Sequence, residues 1–169
     1  MEFRILSIDD VSAWSSLRLE ALETEPLAFG MSPEEHKAKR TEEVAAMICA
    51  KPNGSFTLGG FDSGKLVAIA TFVRETGIKQ QHKGHIYGVY VAASHRGLGL
   101  GKQLLSEVLD RVKQEPSIEQ VLLAVSAHNA AALRTYRRLG FAVYGTEPRA
   151  LKVGSEIVNE HQMILILRS

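Results

Sequence analysis

Val91-Ala92-Ala93-Ser94-His95-Arg96-Gly97-Leu98-Gly99-Leu100-Gly101-Lys102 decides how this chain is read. The run before it, His85 to Ala92, is rich in valine and tyrosine like a buried strand. After it Leu100, Leu104, Leu105, Val108, Leu109 and Val112 recur at helical spacing. Lys102, Glu107, Asp110, Arg111 and Lys113 fill the other face, and Pro116 stops the pattern. A strand that passes through closely spaced glycines into a helix leaves backbone N–H groups at the positive end of a helix dipole, where phosphate binds. A plain structural turn is the alternative, but three glycines at alternate positions flanked by Arg96 and Lys102 favour an anion site.

Spacing separates the possible phosphate ligands. A dinucleotide turn needs G-x-G-x-x-G, and counting from Gly97 or Gly99 puts the last position on Lys102 or Leu104. A nucleoside triphosphate loop needs G-x-x-x-x-G-K-[ST], but Gly101-Lys102 has Arg96 at the required distance before it and Gln103 after it. What remains is R-x-x-G-x-G, formed by Arg96, Gly99 and Gly101.

Outward from this turn the chain alternates strand and helix signals. Phe3 to Ile8 alternates as a strand, and Asp9 or Asp10 then caps a helix reaching about Glu23. Ser32-Pro33-Glu34-Glu35 carries a capping residue, a first-turn proline and a glutamate three after the cap, so one helix is expected from Pro33 to about Ala50. Ser55 to Phe61 and Leu66 to Arg74 form a hairpin across Asp62-Ser63-Gly64-Lys65. Gln120 to Ser126 is a strand, Asn129 to Leu139 a helix ended by Gly140, and Phe141 to Gly145 and Glu160 to Leu167 are the last strands. The order gives an α/β layer with helices covering a central sheet, without internal repeats.

A length of 169 residues fits one domain with one core. A hydrophobic share of 45% with 23% charged residues is ordinary for a globular chain, and no run suits a membrane span. The first ten residues do not read as a signal peptide, and the lone Cys49 admits no internal disulfide, so a cytoplasmic location is expected. A net charge of +1 offers no broad field for nucleic acid or an anionic membrane.

The segment Val91 to Lys102 resembles the acetyl-CoA-binding segment of the GNAT (GCN5-related) N-acetyltransferases. A second segment of that family follows in Asn129-Ala130-Ala131-Ala132-Leu133-Arg134-Thr135-Tyr136-Arg137-Arg138-Leu139-Gly140-Phe141, with its Asn, its Tyr seven residues later and its Gly-Phe ending. Together the segments span Tyr87 to Phe141, and the element order upstream is similar too, least clearly in the N-terminal third.

The resemblance implies a single-domain GNAT-like α/β fold over 1–169, with a mixed central sheet of about seven strands flanked by about four helices. It implies that Arg96, Gly97, Leu98, Gly99, Leu100, Gly101 and Lys102 cradle the pyrophosphate of acetyl-CoA, chiefly through backbone N–H groups. Val89, Tyr90 and Val91 would pair their main chain with the pantetheine, and the strands flanking the helix would splay to open a cleft. Asn129 would contact the pantetheine arm, besides capping its helix as Asn before an apolar run commonly does. The expected reaction is direct attack by a primary amine on the thioester in a ternary complex. Tyr136, which also contacts the cofactor, is the candidate general acid for the CoA thiolate, a role that a phenol of pKa near 10 suits. Read from spacing alone, Tyr136 is a core aromatic beside Leu133 and Leu139.

No single general base stands out. Members that acetylate a ribosomal protein N-terminus carry a glutamate five residues before the motif Asn, where this chain has Ala124. His85, Tyr87, Glu20 and Glu34 remain as candidates. Arg134, Arg137 and Arg138 form a basic turn that is either solvated or meets the CoA 3′-phosphate. His82 and His85 lie three apart on a strand, facing opposite ways with no third ligand, so no metal site is expected. Trp14, Leu17 and Ala21 read as packing, while Arg18 and Glu20 point from other faces toward the acceptor cleft and Phe29 offers an apolar wall. The acceptor amine is not identified by these residues. A non-catalytic acyl-CoA sensor of the same fold is the competing reading. The apolar run Met163 to Leu167 either fills the sheet or pairs with a second subunit, and the resemblance inclines toward a homodimer.

Overall fold

Five consecutive residues, Leu66-Val67-Ala68-Ile69-Ala70, are all buried. Successive strand residues face opposite ways, so this run needs cover on both faces of its sheet. The computed structural model describes residues 1–168 and shows how that cover is built. In chain order the elements are β1 (Glu2–Ile5), α1 (Val11–Thr24), α2 (Pro33–Lys37), α3 (Thr41–Ile48), β2 (Phe56–Asp62), β3 (Lys65–Arg74), β4 (Lys83–Val91), α4 (Leu100–Lys113), β5 (Gln120–Ser126), α5 (Ala130–Arg138), β6 (Ala142–Val153) and β7 (Glu156–Ile166). They form one seven-stranded sheet in the order β1-β2-β3-β4-β5-β7-β6. Every neighbouring pair is antiparallel except β4–β5, which is parallel. α1 and α4 both pack on β3, and Trp14, Leu17 and Ala21 of α1 join Leu104, Leu105 and Val108 of α4 in the core. No helix of the described residues is long and apolar enough to cross a membrane.

The N-terminal half departs from expectation in three places. β1 stops at Ile5, and neither Asp9 nor Asp10 caps α1 with its side chain. Instead Ser7 caps a short 3-10 turn, Ile8–Asp10, and the Asp10 carboxylate accepts from Ser7 N–H at 2.8 Å and from both Arg4 Nη atoms at 2.7 Å. The helix expected from Pro33 to Ala50 is two helices, α2 and α3, which makes five helices rather than about four. Ser32 and Glu35 form the anticipated capping box, but Glu43 then accepts from Arg40 N–H at 2.7 Å and starts a second helix. The break lets both halves bury a face. His36 Nε2 bonds Ser15 O at 3.0 Å, while Val44 and Ile48 enter the core. On one straight helix Val44 would sit about 80° round from His36.

At the other end β6 runs to Val153, well past Gly145, and forms a long hairpin with β7 through Gly154 (φ 60°). A register slip between Glu147 and Leu151 absorbs Pro148 and Arg149. β7 lies between β5 and β6, so Met163 and Ile164 are paired on both edges inside the sheet, while Leu165 and Ile166 pair on the β5 side.

The Arg4 guanidinium, reinforced by Ser7 N–H against the opposing effect of burial, pushes the Asp10 carboxyl down to about 2. A depressed carboxyl pKa stabilises the fold above the unfolded value near 4, and the gain is lost as pH falls through about 2. Arg4 is 41% exposed, so solvent screening reduces the gain to about 1–2 kcal/mol. Urea denaturation should show Asp10→Asn less stable by that amount at pH 7, with the difference shrinking between pH 4 and pH 2.

Candidate active site

The parallel pair β4–β5 is held by only three residue pairs, Lys83↔Gln120, Gly84↔Val121 and His85↔Leu122. β4 continues to Val91 and β5 to Ser126, so from Ile86 onward the two strands part. A bulge accompanies the parting. Between Ile69↔Tyr90 and Thr71↔Tyr87 the register with β3 slips, and Gly88 takes a left-handed φ of 61°. An L-residue there would be strained, and the bulge turns the strand away from its neighbour. Past the split, β4 keeps β3 on one edge and has no strand on the other among the described residues. The main chain of Val89, Tyr90 and Val91 lies along this open edge.

β4 then delivers the chain to the glycine turn. Gly97 and Gly99 have φ of 80° and 76°, and a Cβ on either would meet nothing within 4 Å, so backbone conformation rather than space requires glycine. Within the described residues the N–H groups of Gly97, Leu98, Gly99, Leu100, Gly101 and Lys102 have no acceptor. The first bonded one is Gln103, which donates to Gly99 O at 3.1 Å. Leu100 and Leu104 are buried and pin the start of α4, while Leu98 is 74% exposed, so these donors stand at the surface of a fixed helix end. Exposed Lys102 adds a cation. Arg96 does not offer a free charge. Its Nε donates to Val91 O at 3.1 Å, its Nη1 to Glu25 at 2.7 Å, and its guanidinium lies 5.2 Å from the Tyr90 ring. Its side chain ties the turn to β4 and to the end of α1.

Across the split, β5 leads into α5. Asn129 Oδ1 accepts from Ala132 N–H at 3.0 Å, so its capping role is present and its Nδ2 is left as a donor. Gly140 (φ 95°) ends the helix: its N–H donates to Arg137 O at 3.0 Å, and Phe141 N–H reaches back to Tyr136 O at 3.1 Å. This is a complete Schellman closure, with the Phe141 and Tyr136 rings packed edge to face at 6.0 Å. Gly-Phe is thus the device that fixes Tyr136. Burial pushes the Tyr136 phenol up to about 12, and its hydroxyl has no hydrogen bond among the described residues. Arg134, Arg137 and Arg138 are exposed on α5.

α1 forms the opposite wall. Tyr90 OH donates to Glu20 at 2.9 Å and lies 3.2 Å from Thr24 Oγ1. The Arg18 guanidinium stands 4.5 Å above the Phe29 ring, and Phe29 meets Tyr90 edge on at 6.4 Å. A Cβ on Gly88 would stand 3.3 Å from Arg18 Nη1, so this arginine rests on the β4 bulge. Arg18 Nη1 is buried without a partner, and burial pushes the guanidinium down to about 10. His85 Nε2 pairs with Glu75 at 3.1 Å and its ring stacks on Tyr87 at 5.7 Å. Burial, with Glu75 adding, raises the Tyr87 phenol. Glu34 is exposed in the first turn of α2.

Of the residues put forward from sequence, the structure brings Arg18, Glu20, Phe29 and Tyr90 together, sets His85 and Tyr87 side by side on β4, and leaves Glu34 apart from both groups. Among the described residues no group of three His, Cys, Asp or Glu could hold a metal. Sequence reasoning missed the pairing of His85 with Glu75 and the isolation of Arg18. The latter had a signal: the positions three and four residues away on its helix are Trp14, Ser15, Ala21 and Leu22, none acidic.

A splayed parallel pair at the centre of a mixed sheet, with a glycine turn at its mouth, defines a cleft for an extended phosphate-bearing ligand. The chain belongs to the acetyltransferase (GNAT) family, whose family model matches residues 14–141. It is 36% identical over 100 residues to the mycothiol acetyltransferase of Mycolicibacterium vanbaalenii, a match covering 57% of this chain and 32% of that protein. It is 36% identical over 63 residues to the L-methionine sulfoximine/L-methionine sulfone acetyltransferase of Pseudomonas aeruginosa, covering 37% of this chain and 36% of that one. The chain thus spans about a third of the length of these curated relatives. Its fold is shared with an acetyltransferase of the GNAT family from Streptococcus pneumoniae (TM-score 0.86, 20% identity, 98% of both chains). It is shared also with yncA from Salmonella typhimurium, solved with its cofactor acetyl-CoA (TM-score 0.81, 22% identity, 100% of this chain and 95% of that one).

Gly140→Ala should test the closure under Tyr136. Alanine at φ 95° is strained and its Cβ would stand 3.1 Å from Leu165 Cδ1, so chemical denaturation should show a loss of about 1–3 kcal/mol.

Proposed function

We propose that this chain is an acetyl-CoA-dependent N-acetyltransferase acting on a primary amine within a ternary complex. The observation that carries the reading is the run of six N–H groups, Gly97 to Lys102, without an acceptor among the described residues and set at the mouth of the β4–β5 split. Donors converging at the head of a 14-residue helix suit a pyrophosphate, and the unpaired edge of β4 suits an arm that bonds like an added strand. The fit is specific to a ligand with both parts. Family membership and the acetyltransferase names of the relatives support the same donor.

When bound, acetyl-CoA supplies an acetyl group activated as a thioester. The N–H groups of Gly97 to Lys102 hold the pyrophosphate, Val89, Tyr90 and Val91 align the pantetheine, and Asn129 Nδ2 adds a donor from the α5 side. Arg96 contributes by bracing the turn. As the amine nitrogen bonds the carbonyl carbon, the carbon–sulfur bond breaks and its electron pair leaves on sulfur. Tyr136 gives that sulfur its proton, and the second proton that the attacking nitrogen sheds as the amide forms restores the phenol. With its phenol pushed up to about 12, Tyr136 keeps this proton across the neutral and mildly alkaline range. The incoming ammonium must first lose a proton. Glu20, joined to β4 through Tyr90, and His85, paired with Glu75, are candidates to accept it directly or through water.

Tyr136→Phe should lower kcat about 100-fold, the usual worth of a positioned acid, while CoA affinity by calorimetry stays within about twofold. Unchanged turnover would remove Tyr136 from the acid role. Thiol release with acetyl-CoA and an amine panel tests the whole reading: CoA binding without acceptor-dependent release would make the chain a sensor, and absence of CoA binding would refute the donor.

A further inference from the structure

Arg18 is a half-buried cation of this cleft whose charge the described residues leave unanswered. No carboxylate lies within ion-pair distance of it among the described residues, and it donates no hydrogen bond there. Glu20, two positions on, projects from another face of α1 and is engaged by Tyr90 OH. A guanidinium with Nη1 buried and unpartnered against an aromatic ring and a strand carries a desolvation cost, which a fold without use for it would relieve by a neighbouring acid or an apolar side chain. The surroundings hold it in place instead. Phe29 supports its plane at 4.5 Å, and Gly88, lacking a side chain, lets Nη1 settle on the β4 bulge where the strands part. Phe29 also lines a cavity of about 320 Å³ shared with Leu22, Pro26, Met31 and Leu151.

We propose that Arg18 receives a carboxylate on the acceptor, so that the amine acetylated here belongs to a small amino acid rather than to a polyamine or a protein lysine. This rests on the acetyl-transfer reading of the same cleft. A planar fork of donors matches a carboxylate bidentately, and the low-dielectric setting beside Phe29 strengthens the pairing. A polycation brought to the same place would meet like charge, which disfavours it. Phe29, which lies under the guanidinium and lines the neighbouring cavity, offers the amino acid side chain an apolar surface. Arg18 is in this role a specificity residue, and the proton steps stay with the groups named above.

The test compares the free amino acids with their amides as acceptors, with kcat/KM from thiol release expressed per unprotonated amine. Wild type should favour the free acids by about 100-fold, the worth of a charge-assisted pair. In Arg18→Met that ratio should fall to within about threefold, with CoA affinity unchanged and Tm equal or higher, because the variant removes an unpaired, half-buried charge. Arg18→Lys, which keeps the charge and loses the fork, should fall between the two. Equal use of acids and amides by wild type would overturn the inference, as would an Arg18→Met loss that is the same for every acceptor. If no acceptor releases thiol, the transfer reading fails. Calorimetry of the same amino acids in the presence of CoA then decides: heat in wild type that vanishes in Arg18→Met sustains the carboxylate site, and absence of heat in wild type overturns it.

Discussion

Three residue pairs hold β4 to β5, and every functional feature of the chain is arranged around the place where that pairing ends. If the two strands stayed paired, the β4 edge would be consumed by β5 and no cleft would reach the sheet. Gly88 makes the parting structural, because its left-handed φ bends β4 while β3 remains bonded on the other side. The same bend gives Arg18 its seat and presents Tyr90 to Glu20. On the proposed reading one wall of the split takes the donor and another the acceptor. The two helices that follow the parted strands, α4 and α5, bring the glycine turn and Tyr136 to its two sides.

What keeps such an opening from collapsing is cover elsewhere. β3 is buried on both faces, α4 pins its own start through Leu100 and Leu104, and the Schellman closure at Gly140 holds Tyr136 against Phe141. Arg96 acts in the same sense, since its bonds to Val91 O and Glu25 join turn, strand and first helix at one point. An opening in the middle of a sheet is thus bordered by some of the most firmly anchored parts of the molecule. That is what a site requiring preformed donors needs.

The glycine turn, α4 and β5 were legible in the sequence because each rests on a local rule: positive φ, helical spacing or strand run. The split was legible only through resemblance, since nothing in Ile86 to Val91 alone says that a neighbour will be missing. The break between α2 and α3 was hidden because Ala38-Lys39-Arg40 contains neither proline nor glycine. It becomes intelligible once His36 and Val44 are seen to need different bearings. The long β6 was hidden by Pro148, which reads as a strand's end but sits in a slip of register. Arg18 illustrates another limit. Its lack of an acidic neighbour on α1 was readable, but its contact with Gly88, seventy residues away in sequence, comes only with the fold.

The position of β7 bears on how the chain reaches this state. β5 meets β4 over three residue pairs and β7 over seven, so its main support comes from residues near the C-terminal end. During synthesis the edge of β5 that faces β7 stays bare until residues 156–166 have left the ribosome. β6 waits as well, because its partner in the sheet is the strand made after it. A nascent chain of this topology passes through a stage in which an apolar strand, Val121-Leu122-Leu123-Ala124-Val125, lacks its neighbour, and unpaired edges of that kind recruit other chains. The insertion of β7 between β5 and β6 therefore makes this half of the sheet depend on residues 156–166 for its pairing.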